Sequence, residues 1–268
     1  TGPDRDQLAM DHTIQAASGV MSVTGERGGP PARAGGTPCD IMGGIHLHAG
    51  ILQALLGRER SGKGTLVEIA MMESMYFTLS SDLSHLHSTG EIPPRRGDKT
   101  NTLTTPYGRY ECTDGWIAII CVAEQHWERI LTVIGRTELI GDPDYGDNAH
   151  RNAREDEINA MIGAWCKNMT RDEAFNIMRD AKVPVAPIRD IQDVRGDAHM
   201  HQRGMLKDMK HPYMGDVVLA SSPIRLSEFE TSAVKFFPEK GADTAAVLGD
   251  WLDLEDSQIA ALSDNGVI

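Results

Sequence analysis

Apolar residues recur at helical spacing over several long stretches of the chain and at strand spacing over a few short ones. The run from Leu8 to Ser22 reads as a helix, and the glycine- and proline-rich stretch from Gly25 to Pro38 reads as a loop. From Asp40 to Arg60, the positions Ile41, Ile45, Leu52, Leu55 and Leu56 are spaced for burial on one strong helix. Ser61-Gly-Lys-Gly64 then turns the chain into an expected strand, Thr65–Ala70, followed by a helix from about Met71 to His87. Helix, turn, strand and helix in that order predict an α/β layer with a mainly parallel sheet.

The stretch from Glu91 to Pro106 is a polar break carrying Pro93-Pro94 and Arg95-Arg96, and it marks a boundary. Strands are expected at Tyr107–Glu111 and Trp116–Cys121, joined around Asp114-Gly115, a hairpin signal. Helices follow near Gln125–Ile134, Arg154–Cys166 and Arg171–Ala181; the last starts at Thr170 with Glu173 three residues on, the pattern of a capping box. Pro184–Ile188 reads as extended and Ile191–Val194 as a helical turn. After a second break near Gly204 come a strand at Val217–Ala220 and short helices near Thr244–Leu248 and Asp256–Leu262. The expected organisation is therefore a first part over residues 1–92, a linker at 93–106, a small α/β domain at 107–203 and a return segment at 204–268. There is no internal repeat and no low-complexity tract.

Composition narrows the function classes. With 268 residues, 40% hydrophobic and 24% charged, the chain fits an ordinary globular protein of one or two domains. Its net charge of −13 argues against a nucleic-acid partner, which needs a basic face. Any anionic ligand must then be held by a local cluster of donors. Cys39, Cys112, Cys121 and Cys166 form no CxxC pair, which suits reduced thiols and a cytoplasmic location. No run reaches the roughly 18 consecutive apolar residues of a membrane span and no signal peptide opens the chain, so no membrane association is expected. The start at Thr1-Gly-Pro3 suits a processed or partial chain.

Asp40 stands out because Gly43 and Gly44 share its helical face. A glycine inside a helix costs about 1 kcal/mol relative to alanine, so two in succession need a reason. One is close approach of a backbone or ligand to the carboxylate; the plainer one is an N-cap aspartate followed by packing glycines. Gly57–Gly64 nearly matches a phosphate-binding loop, but Gly64 replaces the Ser or Thr, and the run follows a helix, so a helix cap and turn is favoured. His46/His48 and His85/His87 are two apart and make poor metal pairs, and no zinc spacing occurs, so no metal is expected. His46 lies roughly 240° around the helix from Asp40, which suits a packed or hydrogen-bonded histidine. Arg95, Arg96 and Lys99 suit phosphates or plain solvation. Asp11 and Gln15, one turn apart, suit a polar strip beside a ligand or at the surface.

Several segments together resemble the family III CoA-transferases. They are Asp11-x-x-x-Gln15-Ala-x-Ser-Gly19, Met21-Ser-Val-Thr-Gly25, Gly29-Pro-Pro31, Cys39-Asp40 running on to Leu56, and Arg58-Glu-Arg-Ser-Gly-Lys-Gly64. Later come Lys182-Val-Pro-Val-Ala-Pro-Ile188, His211-Pro-x-x-Gly215 and Ser222-Pro223. Their order and spacing cover nearly the whole chain. The resemblance implies a partial Rossmann-like large domain lacking its amino-terminal part, a smaller α/β domain, and a carboxyl-terminal tail returning to the large domain. It implies interlocked homodimers, acyl-CoA and carboxylic acid substrates, and coenzyme A as a substrate with no permanently bound cofactor. Asp40 matches the catalytic aspartate of the family, which attacks the thioester to form an anhydride and then an aspartyl-CoA thioester. Asp11, Gln15, Gly43, Gly44 and Glu124 fall in the vicinity of substrate and CoA. Two departures are visible: Met10 stands where the racemase branch has a histidine, although Glu124 matches that branch's glutamate, and Val122–His126 replaces the glycine-rich loop of the formyl-CoA branch. Racemase or epimerase activity, and a catalytically incomplete subunit, are the alternatives. The identity of the acid is not legible.

Overall fold

The computed structural model describes residues 2–97, 104–229 and 235–268; Thr1, Lys99 and the centre of the expected 93–106 linker lie outside them. The chain falls into two compact units, residues 1–188 and residues 189–268.

The first unit opens with α1 (Asp11–Ala17) and α2 (Val20–Val23). The single helix expected over 8–22 is two pieces because Gly19 adopts a φ of 91°, a left-handed conformation that ends one helix and turns the chain into the next. A loop leads to α3 (Pro38–Ser61), where Thr37 is the N-cap and Pro38 the first helical residue, a position at which the missing N–H is harmless. Asp40 is therefore in the first turn and is not the cap. Gly62, left-handed at φ 70°, closes α3 by donating its N–H to the Arg58 carbonyl, so the near phosphate loop is a cap and turn.

Residues 65–70 run without helix or strand, and the strand expected there has no pairing partner among the described residues. The segment instead serves as a floor for α3. A Cβ on Gly50 would sit 2.9 Å from Val67 Cγ1, and one on Gly43 would sit 3.1 Å from Met71 Cγ. Bare backbone at these positions lets the helix lie against the segment and against α4 (Met71–Tyr76). The helix expected to His87 is interrupted by a tighter turn at Phe77–Leu79 before α5 (Ser80–Thr89). There the Thr78 hydroxyl donates to the Met75 carbonyl at 2.6 Å and competes with the helical ladder.

The aliphatic positions of α3 depart from expectation. Ile41, Ile45, Leu52, Leu55 and Leu56 are spaced for burial yet exposed, because α3 spends its glycine face on the 65–71 segment and nothing among the described residues covers the opposite side. With 24 residues and a mean hydropathy of 1.2 in its most apolar window, α3 is also apolar enough by length and composition to cross a membrane, although no uninterrupted apolar run is present.

A second core is built on β1 (Tyr107–Cys112), β2 (Gly115–Ile120) and β3 (Val185–Pro187), in the order β1-β2-β3 and antiparallel throughout. The tight turn between Cys112 and Gly115 permits only an antiparallel pair, and the mainly parallel sheet is not found among the described residues. The elements α6 (Glu124–Val133), α7 (Asn148–Ala153), α8 (Glu155–Cys166) and α9 (Arg171–Asp180) surround the sheet. Fully buried Ile117, Ile130, Leu131, Ile158 and Ile162 meet at its centre. The Thr170–Glu173 capping box forms as expected, and the hairpin joins it: Asp114 Oδ1 accepts the Arg171 N–H at 2.6 Å.

The second unit contains α10 (Ile191–Arg195), α11 (Ala198–Gln202), an antiparallel hairpin of β4 (Leu206–His211) and β5 (Gly215–Ala220), and helices α12 (Thr244–Leu252) and α13 (Asp256–Asp264). The helices α7 and α11 and the strand β4 are additions to the sequence-based outline; β4 is largely polar and its one-face signal is weak.

The glycine contacts predict a contrast. Gly44→Ala, whose methyl meets open space, is expected to keep or raise stability by up to about 1 kcal/mol. Gly50→Ala, forced against the β-branched Val67, is expected to lose about 1–3 kcal/mol. Thermal denaturation of the two variants side by side checks the difference in sign.

Candidate active site

Asp40 is exposed at the first turn of α3, where the partial positive charge of the helix amino terminus favours an anion. Its two glycine neighbours do different things. Gly43 is buried against Met71, while a Cβ on Gly44 would meet nothing within 4 Å, so open space adjoins the carboxylate on the Gly44 side. His46 is turned away and engages the Met42 carbonyl through Nδ1 at 2.8 Å, the hydrogen-bonded histidine that its position suggests.

Asp11 and Gln15 are not on the surface: they are 8% and 0% exposed. Asp11 Oδ1 accepts the backbone N–H of Cys39 at 2.9 Å, and Asp11 Oδ2 accepts Gln15 Nε2 at 2.7 Å. Gln15 Oε1 in turn accepts the Ala34 N–H at 2.8 Å. Burial of Asp11 opposes its charge, but these donors, the Cys39 thiol and the nearby Arg33 outweigh it and hold the carboxyl below its ordinary value. The Cys39 thiol is pushed the other way, up to about 11, by its burial and by the charges of Asp11 and Asp40. It stays protonated next to the exposed carboxylate.

The loop before α3 is tied down by the polar break that follows α5. Arg95 Nε and Nη2 donate to the Gly29 carbonyl at 2.9 and 2.6 Å, and Nη1 donates to the Ser22 carbonyl at 3.2 Å. Glu26 of the same loop pairs with Arg109 of β1 at 2.5 Å. Arg95 and Arg96 also line a cavity of about 760 Å³ with Ser22, Arg27, Pro94 and Asn159; Asp40 does not line it.

Glu124 lies in the first turn of α6, apart from this cluster, and is gripped by Arg151 of α7. Arg151 is 0% exposed and uses all five donors: to both Glu124 oxygens at 2.7 and 2.9 Å, to the carbonyls of Thr105 and Tyr145 at 3.0 Å, and to Asn148 Oδ1 at 2.9 Å. The Arg151 hydrogen bond, more than its charge, lowers the Glu124 pKa against a smaller burial effect. Sequence reasoning missed Arg151, because an arginine in the polar run Asn148–Ala153 looks solvated. The Cys39 amide was equally invisible, since backbone donors carry no sequence signal. Among the described residues no group of three or more His, Cys, Asp or Glu side chains could hold a metal.

The Glu124–Arg151 pair gives a pH prediction. A carboxyl whose folded pKa is depressed stabilises the fold fully above its unfolded value, near 4.5, and that contribution is lost as pH falls through the lowered value. Arg151→Met is expected to lose about 2–3 kcal/mol, less than a fully buried pair because Glu124 is 56% exposed, and to weaken the acid dependence of stability below pH 4.5. Chemical denaturation of both proteins across that range is the check.

Residues 1–244 match the model of CoA-transferase family III. The chain is 31% identical to the beta subunit of succinyl-CoA–L-malate CoA-transferase from Chloroflexus aurantiacus, over 100% of this chain and 67% of that protein. It is 32% identical to succinyl-CoA:mesaconate CoA-transferase from Haloarcula hispanica, over 83% of this chain and 55% of that protein. It thus spans between about half and two thirds of the length of these relatives. A solved CAIB/BAIF family protein from Brucella suis superposes with a TM-score of 0.79 at 27% identity, covering 93% of this chain and 65% of that one. A mixed α/β chain that carries an exposed aspartate on the first turn of its longest helix, and matches this family over nine tenths of its length, belongs to CoA-transferase family III.

Proposed function

We propose that the protein moves CoA from an acyl-CoA thioester to a free carboxylic acid, with Asp40 as the nucleophile. A carboxylate oxygen of Asp40 attacks the thioester carbonyl, the carbon–sulfur bond breaks, and CoA leaves as a thiolate, giving a mixed anhydride. The thiolate then attacks the aspartyl carbonyl, releasing the first acid and forming an aspartyl-CoA thioester. The incoming carboxylate attacks that thioester, a second anhydride forms, and the thiolate takes the new acyl group and frees Asp40. Covalent passage divides one difficult exchange into easier steps. The observation that carries this reading is the placement of Asp40: an exposed carboxylate on the first turn of α3, with open space beside it at Gly44.

The two curated relatives are named for malate and mesaconate as partners of succinyl-CoA. Small dicarboxylates are therefore the acceptors we expect here, with succinyl-CoA as donor. The same reading includes a Rossmann-like large domain and a homodimer in which the uncovered aliphatic face of α3 becomes internal packing. Racemisation at the α-carbon is disfavoured by two features. Met10 offers no acid or base, and Glu124 has both oxygens engaged by Arg151.

Incubating the full-length protein with succinyl-CoA is expected to give a species heavier by CoA less one water, mapped to Asp40 by peptide mass spectrometry. Asp40→Ala is expected to lose the adduct and to lower transfer by at least about 10³-fold. Full exchange activity in that variant would refute the assignment, and deuterium entering the α-position of a chiral acyl-CoA would favour racemisation instead.

A further inference from the structure

Resting on that reading of Asp40, we propose that Asp11 and Gln15 are positioning residues for the nucleophile, which build the amino-terminal cap of its helix from a different helix. The first turn of α3 lacks the usual means of capping itself. Thr37 occupies the N-cap position without a side-chain hydrogen bond, and Pro38 has no N–H to offer. Among the described residues, the Cys39 amide is satisfied only by Asp11, 28 residues earlier in the chain. Gln15 holds Asp11 with its amide nitrogen and, with its amide oxygen, holds Ala34, 19 residues on and just ahead of the helix. Two side chains of α1 thus fix both the loop that enters α3 and the turn that carries Asp40.

The alternative role for this pair is contact with a ligand, and the geometry speaks against it. Both side chains are buried, and both oxygens of Asp11 and both polar atoms of the Gln15 amide already have partners inside the protein. A new ligand would have to break the cap to reach them. The need for the cap follows from the chemistry. Attack on a thioester carbonyl tolerates little misplacement, since about 1 Å can cost 10²-fold in rate, and an uncapped helix end frays. Cys39 lies between the buried tie and the exposed nucleophile, so tightening its amide restrains the next residue directly. Its thiol is buried beside the two carboxylates and stays protonated, so it adds no negative charge to the anchor.

The test compares the full-length protein with Asp11→Ala, Asp11→Asn and Gln15→Ala at a temperature where each is folded by circular dichroism. Asp11→Ala is expected to lower kcat for CoA transfer by about 10- to 100-fold while the KM values for thioester and acid stay within about twofold. Amide hydrogen exchange in a peptide covering residues 37–41 is expected to rise about tenfold, the size of a lost cap. Asp11→Asn, which keeps an acceptor for the Cys39 amide, is expected to recover most of both effects. Gln15→Ala is expected to fall between the two and to carry the comparison if Asp11→Ala does not fold. A raised KM with kcat preserved would assign the pair to ligand binding and overturn the proposal, as would unchanged kcat with unchanged exchange. If the unaltered protein shows neither transfer nor an Asp40 adduct, the functional reading fails, and the exchange measurement still decides whether Asp11 caps α3.

Discussion

The carboxylate of Asp11 is the constraint on which the rest of the site depends. Burying an ionised group is unfavourable unless donors meet it, and in a chain of net charge −13 the surrounding field gives no help. The cost is offset locally by a backbone amide and a side-chain amide. Each of these donors belongs to a part of the chain that must be fixed: the first turn of α3 and the body of α1. Satisfying one buried charge therefore organises the region around the exposed one. Two aspartates flank Cys39 with opposite fates, one saturated and enclosed, the other open and unused by the fold.

The two cores of the first unit are unequal. The sheet-centred one encloses a continuous set of aliphatic side chains, locked at its rim by the Thr170–Glu173 box and by the five bonds of Arg151. The one beneath α3 buries, among the described residues, only Val20, Cys39, Met75 and Leu79 as its apolar members. There, close backbone approach at Gly43 and Gly50 replaces side-chain interdigitation. Packing of this kind fixes the distance between helix and floor but removes little apolar area from water, which is why most of the aliphatic surface of α3 is left on its other side.

Elements whose signals are local were legible in the sequence. The hairpin at Cys112–Gly115, the Thr170–Glu173 box and the glycine cap of α3 all formed where their residues stood, because turn and cap chemistry is decided within a few residues. What depended on distant partners was not. Thr65–Ala70 has strand-like residues but no strand beside it, and the spacing of Ile41 to Leu56 predicted burial without saying against what. Of the site, Asp40 was visible through its neighbours Gly43 and Gly44, while only one of those glycines leaves space and the other packs. Asp11 and Gln15 were visible as a shared face. That the face points inward to a backbone amide 28 residues away could not be read from spacing, and Arg151 gave no sign of its burial.

Arg95 and Glu26 fasten the same loop by unlike means. The guanidinium of Arg95 makes three bonds to main-chain carbonyls, the two to Gly29 partly shielded, whereas the Glu26–Arg109 pair is exposed on both sides and worth at most about 1 kcal/mol. Of the two, the ionic contact is the one that solvent and salt weaken more. Raising the ionic strength would screen the Glu26–Arg109 contact while leaving the Arg95 bonds that hold the stretch of chain leading to α3.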